Sequence, residues 1–415
     1  MPGNIIAEND HAKILCAYKD EMVQELHATL DYWKKYTVDN EHGGFYGSVD
    51  TNNTPGKTAP KGIVLNSRIL WAFSAAYNYT KDQSDFNTAT IAFEYIIDHF
   101  LDHDYGGVFW STDFNGKMLD GRKQIYGFAF CIYGMSEYYK VSGNGMALHI
   151  AKDLFDNIEQ YSFDKRHDGY IEAFTREWTS LDDLRLSEKD DNAKKTMNTH
   201  LHIAEAYANL YQVWPDKLLK EKITGLLDII DKYFINENNY HLNLFFTEDW
   251  VLRSSLQSFG HDIEAAWLLQ QCAEISGNIL QIDQYKELSL LLTAAAVEGL
   301  HKDGGLWYEY DPANNELIKE KHWWAQAEAM VGFFNSYQLS GNELYLQQSL
   351  NSWQFVKNYI KDSKKGEWFW GINEDYSVMQ KDKTGFWKCP YHNTRAFLEI
   401  INRIEKNIKK QKIES

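Results

Sequence analysis

Apolar residues recur at helical spacing along most of this chain, in blocks separated by short connectors. In His11–Tyr36, the residues Ile14, Leu15, Tyr18, Met22, Leu26, Leu30 and Trp33 fall near one face of a helix. The same reading predicts helices over Gly62–Tyr79, Phe86–Leu101, Gln124–Val141, Gly145–Gln160, Met197–Trp214, Asp216–Phe234, His261–Ser276, Ile282–Leu300, His322–Leu339, Asn342–Ile360 and Pro390–Ile408, twelve in all.

The connectors before alternate helices repeat a phrase. It reads Gly43-Gly44-Phe45-Tyr46-Gly47, then Gly106-Gly107-Val108-Phe109-Trp110, Asp168-Gly169-Tyr170-Ile171-Glu172, Gly304-Gly305-Leu306-Trp307-Tyr308 and Gly366-Glu367-Trp368-Phe369-Trp370. A degenerate copy, Asn239-Tyr240-His241-Leu242, fills the remaining gap. Glycine supplies the turn and the aromatics favour strand, so each copy reads as a hairpin. A period of roughly 60–70 residues is long for a solenoid repeat, so each unit holds more than one element. Six helix pairs with a repeated connector predict an all-α fold, an (α/α)6 barrel of twelve helices with short hairpins on one rim. An open solenoid would end in polar caps. The last unit instead carries the aromatic run Trp368–Trp387, which favours closure. The repeat spans nearly the whole chain without a Pro/Gly/Ser-rich linker, so residues 1–415 are expected to form a single catalytic domain.

Composition narrows the partners. A formal net charge of −17 argues against nucleic acid and against an anionic membrane surface, and otherwise reads as solubility. Cys16, Cys131, Cys272 and Cys389 are scattered without metal-like spacing, which predicts reduced thiols and a cytoplasmic protein. Met1–Asn9 lacks a basic-then-apolar leader pattern, and no apolar run is long enough to span a bilayer. The 14 tryptophans are mostly core material, but Trp and Tyr also stack on the apolar faces of sugar rings.

The polar residues in the first turns of alternate helices point to chemistry. They are Arg68, Tyr126, the run Asn198-Thr199-His200-Leu201-His202 with Glu205, His261 with Glu264, His322-Trp323-Trp324 with Glu328, and Trp387 through His392-Asn393. If alternate helices line the barrel, these slots converge on one axial pocket ringed by helix N-termini, which favour an anion forming there. Taken singly, each residue has a plainer reading. His200 and His202 lie two apart and face different sides, so at most one is expected to face the axis, and a lone histidine there is more often structural. His261 and Glu264, at i,i+3, are also a common structural pair. Arg68 alone could be a core-edge ion pair, and an isolated Trp is packing. Recurrence at equivalent positions shifts the balance to a site. A metal site built from the HxH and HxxE pairs is weaker, because they sit on different helices. A glycoside hydrolase would need two flanking carboxylates, with Asp190, Asp191, Glu264 and Glu328 as candidates. Histidine, the common theme, suits proton transfer near neutral pH better.

The runs Met197–Tyr207, Gly260–Ala265, Trp323–Glu328 and Gly385–Asn393, extended by Lys61–Arg68 and Gln124–Gly127, resemble the cellobiose 2-epimerases, a branch of the N-acylglucosamine 2-epimerase superfamily. The resemblance covers essentially the whole chain and implies the (α/α)6 fold. It implies inversion at C2 of the reducing-end sugar of a β-1,4-linked disaccharide, with cellobiose or lactose as partners, no cofactor and no metal. It places His261 and His392 as an acid/base pair. Arg68, Tyr126, Asn198, His202 and Glu264 would surround the sugar, with Trp324 and Trp387 stacked on its rings. His200 is a further candidate in the pocket. A monomer or weak homo-oligomer is the expected state.

That chemistry suits these residues. The C2 proton is removable only once the ring is open, through a cis-enediolate, with a base on one face and an acid on the other. His392 is expected to take the C2 proton and His261 to act on the opposite face. Glu264 is expected to orient His261 and favour its protonated form. Arg68 and Asn198 would hold the enediolate oxygens. Reprotonation at C1 would give a ketose instead, so an aldose–ketose isomerase is the nearest rival. The charged segment Arg176–Lys195, with Asp190, reads as a rim loop able to contact the second sugar, or as a solvated surface loop.

Overall fold

A computed structural model of the chain describes residues 8–414. The stretch Met1–Ala7, on which most of the N-terminal leader reading rests, lies outside the described residues. The twelve expected helices are all present: α1 (Glu8–Tyr36), α2 (Ile63–Thr80), α3 (Gln83–His99), α4 (Ile125–Ser142), α5 (Gly145–Asn157), α6 (Met197–Tyr211), α7 (Lys217–Ile229), α8 (Phe259–Ser276), α9 (Ile279–Val297), α10 (Trp323–Ser340), α11 (Glu343–Phe355) and α12 (Tyr391–Glu414). No helix among the described residues is long and apolar enough to cross a membrane.

The even-numbered helices form the inner ring. Each packs on the next, α2 on α4, α4 on α6, α6 on α8, α8 on α10, α10 on α12, and α12 returns to α2. The odd-numbered helices lie outside. The seam between α1 and α11 is closed by side chains: Trp353 Nε1 donates to Glu21 at 2.5 Å, Lys357 Nζ to the same carboxylate at 2.7 Å, and Tyr18 meets Ser349 at 3.1 Å. Inner helices are apolar on nearly every side because they are covered all round, and α4 is buried from Ile125 to Tyr138.

Most helices of the two rings start differently, with α6 and α9 as exceptions. Outer helices α3, α5, α7 and α11 are capped by Asp82, Asn144, Asp216 and Asn342, whose side chains accept from the first-turn backbone. Inner helices α2, α4, α8 and α10 have no side-chain cap. At α2, α4 and α10 the N–H of Ile63, Ile125 and Trp323 donates instead to the carbonyl of Trp110, Glu172 and Trp370, and α6, which Thr196 caps, adds the same bond from Met197 to Leu244. These acceptors lie in the glycine-aromatic phrase of the following unit or, for Leu244, two residues past it. The repeated phrase therefore serves two inner helices, not only the one it precedes. It also takes up part of the donor capacity that the sequence left free at the helix N-termini.

Each phrase, the degenerate one included, closes on itself through a bridge: Val38 to Phe45, Leu101 to Val108, Phe163 to Tyr170, Ile235 to Leu242, Leu300 to Leu306 and Lys361 to Trp368. Two-residue strands then knit adjacent units, with Lys61–Gly62 on Ser111–Thr112, Lys123–Gln124 on Ala173–Phe174, Lys195–Thr196 on Phe245–Phe246, and Lys321–His322 on Gly371–Ile372. Gln257–Ser258 pairs with Glu309–Tyr310, and the Val49–Thr384 bridge completes the circle. At five joints a buried lysine lies across the seam. Lys61, Lys123, Lys195, Lys321 and Lys383 bond Asp39, Asp102, Asp164, Asp303 and Asp362 at 2.6–2.9 Å. The remaining joint has Gln257 and Asn236 at the corresponding places.

Candidate active site

The N-terminal halves of the inner helices enclose a cavity of about 470 Å³ on the hairpin side of the barrel. The sixth residue of α2, α4, α6, α8 and α10 is Arg68, Phe130, His202, Glu264 and Glu328, and α12 adds Arg395 at its fifth. Side chains three to four residues apart on a helix share a face, so one slot repeated round a closed ring meets at the axis.

Arg395 ties this ring together. Its Nη2 donates to Glu264 at 2.5 Å and Glu328 at 2.7 Å, and its Nη1 to Glu205 at 2.5 Å. All four groups are buried. Two of the carboxylates also hold a histidine, with Glu328 on His392 Nδ1 at 2.6 Å and Glu205 on His202 Nδ1 at 2.9 Å. Burial works against the Glu205 carboxylate, but Arg395, His202 and Tyr391 outweigh it and bring its pKa down to about 2. For Glu328 burial wins and its pKa is raised, while Arg395 opposes the shift.

His261 is held differently. Its Nδ1 meets Ser258 Oγ at 2.8 Å, and Glu264 is engaged with Arg395 instead. The expectation that Glu264 orients His261 is therefore corrected: Ser258, just before α8, does so. The charge argument keeps its sign. Glu264 raises the pKa of His261, but burial dominates and brings it down to about 4. Burial also pushes His392 well below the usual histidine range, again against Glu264. Trp324 lies between the two, its ring 4.8 Å from His261 and 5.8 Å from His392.

Arg68 Nη2 donates to Tyr126 at 2.7 Å, and its guanidinium lies 4.0 Å from the Phe130 ring centre. Trp387 packs on Tyr126 at 5.8 Å. Asn198 lines the cavity with an Oδ1 that has no protein partner. His261, His392, Glu264, His202, Arg68, Tyr126, Asn198, Trp324, Trp387 and Asp190 thus share one cavity.

His200 does not. Its Nδ1 bonds the Thr196 carbonyl at 2.7 Å and its Nε2 accepts the Tyr170 N–H at 2.9 Å, among Tyr170, Phe234 and Trp250. Burial lowers its pKa to about 3. It is a scaffold histidine, turned away from the axis by the two-residue offset from His202.

The Arg176–Lys195 segment divides. Arg176 turns back to bond Asp102 and Asp104, whereas Leu184–Asp191 walls the outer part of the cavity. Asp190 accepts from Ser187 N and Oγ, both at 2.9 Å, and burial raises its pKa. Sequence reasoning missed Arg395, Ser258 and the outer wall of Tyr308, Glu309 and Trp370. Arg395 had a signal: it is an arginine one turn after His392, followed by the apolar run Ala396–Leu398. Ser258 had none, because a serine before a helix reads as a cap.

The region 43–396 matches the family model for N-acylglucosamine 2-epimerase (GlcNAc 2-epimerase). The chain belongs to the N-acylglucosamine 2-epimerase family. Within that family it is 44% identical to a cellobiose 2-epimerase of Bacteroides fragilis, over 92% of this chain and 98% of the relative. The solved cellobiose 2-epimerase of Bacillus thermoamylovorans B4167 superposes with a TM-score of 0.89 at 39% identity, covering 93% of this chain and 99% of that one. A glycoside hydrolase family 76 α-mannanase of Bacteroides thetaiotaomicron superposes at 0.65 with 12% identity, which shows the fold alone.

Proposed function

We propose that the protein is a cellobiose 2-epimerase, interconverting glucose and mannose configurations at the reducing end of β-1,4-linked disaccharides such as cellobiose and lactose. The observation that carries this is the pair His261 and His392. Both Nδ1 atoms are engaged, by Ser258 and by Glu328, which leaves the Nε2 atoms for the cavity, with Trp324 against both rings.

After ring opening, neutral His392 takes the C2 proton on Nε2, and the C2–H electrons pass into the C1–C2 bond as the aldehyde oxygen becomes an oxyanion. Arg68 and the Tyr126 hydroxyl stabilise that charge, and Asn198 holds an adjacent hydroxyl. His261, in the protonated form that Glu264 favours against burial, returns a proton to the opposite face of C2. One proton is thus shared between two rings, and Glu264, whose charge acts on both, favours its presence on either. The reverse reaction exchanges their roles. Asp190 and the loop behind it reach the second sugar.

Glu264, Glu328 and His392 bring ligand atoms within 4.8 Å of one another, which resembles a metal site. The Arg395 guanidinium already bridges those carboxylates, so the cation there is the protein's own. The same bridge takes Glu264 and Glu328 out of the open carboxylate pair that a glycosidase needs.

Incubation with cellobiose in D2O, followed by NMR, tests the reading. Deuterium at C2 of glucosyl-mannose is the expected result. Deuterium at C1 of a ketose would make the protein an isomerase, and released glucose would make it a hydrolase.

A further inference from the structure

The residue just before the second bridge partner of each phrase is Gly44, Gly107, Gly169, His241, Gly305 and Glu367 in chain order. In the four glycine copies there is no room for a side chain. A Cβ would meet Tyr95 at 2.5 Å, Phe128 at 2.4 Å, Trp250 at 2.5 Å and Phe355 at 2.7 Å. The two copies that carry a side chain precede the two helices that bear His261 and His392.

Both side chains reach the residue that follows the histidine. His241 Nδ1 meets Asp262 at 2.7 Å, and the Leu242 N–H donates to the same carboxylate at 2.8 Å. Glu367 accepts from Asn393 Nδ2 at 2.8 Å, from Lys388 Nζ at 2.7 Å and from Trp33 Nε1 at 2.8 Å. All of these except Leu242 N–H are side-chain contacts, and His241, Asp262, Glu367, Lys388 and Asn393 are all buried. Glu367 also sits at φ +63°, a left-handed conformation that the glycines of the first three copies adopt freely and a glutamate adopts at a cost. A glycine there would remove that cost and the Asn393 anchor together.

We infer that His241 and Glu367 are positioning residues, each fixing one of the two proton-transferring histidines through its sequence neighbour. The inference rests on the proposed epimerase reading. Glu367 holds the N-terminal turn of α12 through Asn393, and with it the His392 ring. It also holds Lys388, next to the cavity-lining Trp387. His241 pins Asp262 in the first turn of α8, and with it the His261 ring. Neither residue lines the cavity, so their effect falls on the proton-transfer steps more than on binding.

The test compares Asn393→Ala and Glu367→Gln with His241→Ala and His241→Gln. Each is assayed with C2-deuterated cellobiose in H2O and with cellobiose in D2O, after circular dichroism has confirmed the fold. Misplacing a reacting group costs on the order of ten- to a hundred-fold in rate, so Asn393→Ala and His241→Ala should lower kcat by about ten-fold or more with KM nearly unchanged. Asn393→Ala should raise the substrate isotope effect, because His392 removes the C2 hydrogen. His241→Ala should raise the solvent isotope effect, because His261 returns a solvent-derived proton. His241→Gln, which keeps a donor for Asp262, should recover much of the loss. If Glu367→Gln does not fold with Lys388 left unpaired, Asn393→Ala carries that side alone. Folded Asn393→Ala and His241→Ala enzymes with kcat near wild type, or with both isotope effects moving together, would overturn the assignment alone. A wild-type protein that never exchanges the C2 hydrogen would overturn the functional reading as well.

Discussion

The inner helices have two faces, and α6 shows the difference within three residues. His202 points to the axis, bonded to Glu205 and in ring contact with Tyr126 and Phe130. His200 points to the rim and takes the Tyr170 N–H. The same division runs round the barrel. The fourth residue of α8 and of α10 does the rim's work: Asp262 takes the Leu242 N–H, and Gln326 takes the Leu306 N–H at 2.7 Å. The sixth residue of each, Glu264 and Glu328, faces the axis. Rim-facing residues satisfy backbone groups that have no other partner, while the axis-facing carboxylates Glu205, Glu264 and Glu328 share Arg395 and compete for it. Residue type alone does not tell these faces apart, but a two-residue offset does.

The axis should be the more fragile face. Arg395→Met leaves Glu205, Glu264 and Glu328 buried without their cation, and breaking a buried ion pair on one side costs about 3–5 kcal/mol. The expected result in thermal melts at neutral pH is loss of the cooperative transition or a large fall in Tm, with C2 exchange abolished. A folded, active Arg395→Met protein would mean that the carboxylates are solvated or protonated and that the axis is not held by its charge balance.

His202→Gln and His200→Gln set the two faces against each other. His202→Gln should lower C2 exchange by about a hundred-fold while leaving the melting temperature nearly intact, since a misplaced contact at the reacting centre carries that scale. His200→Gln should do the opposite, keeping exchange within a few-fold and losing about 1–3 kcal/mol through the buried Tyr170 amide if the glutamine fails to accept from it. The pH dependence separates them further. His200 has a folded pKa of about 3, below its ordinary value of 6.5, because burial disfavours the charged ring. A group depressed in this way binds more protons unfolded than folded, so its contribution is present above pH 6.5 and is lost as pH falls toward 3. Denaturant unfolding of His200→Gln between pH 7 and 4 should therefore show a flatter acid limb than wild type. An unchanged limb would remove His200 from the buried set.

Much of this was legible in the sequence because helical periodicity and a repeated phrase are local signals. Twelve helices and closure followed from spacing and from the aromatic run Trp368–Trp387. Ten candidate residues fell on one cavity because a slot repeated on alternate helices of a ring must converge. What the sequence could not show was which partner each side chain takes. Glu264 lies one turn from His261 yet bonds Arg395 on α12, while Ser258 sits beside His261. Nothing in the local pattern separates these outcomes, because they depend on how α8, α10 and α12 meet. The phrase raised the same difficulty, since in four units a carbonyl in it or just past it caps the inner helix of the preceding unit, some 40–50 residues upstream.

The smallest effect should come from rebuilding the one joint without a lysine. Five joints pair a buried lysine with an aspartate, and each lysine but Lys321 also bonds a turn carbonyl, as Lys123 does with Gly106 at 2.7 Å. At the fourth joint both members differ together, to Gln257 and Asn236. A charge there without its partner is costly, whereas a complete pair gains about as much as it loses in desolvation. Gln257→Lys alone should lower stability by about 1–3 kcal/mol, the scale for an unsatisfied polar group in a partly buried seam. Gln257→Lys with Asn236→Asp should return to within about 1 kcal/mol of wild type, read as the coupling in a double-mutant cycle. Additive losses would mean that the fourth joint differs in backbone geometry and cannot seat the pair. Coupling would mean that the joint keeps the shape of the other five, and that its neutral pair is a matter of side chains, with His241 and Asp262 beside it carrying the local charge.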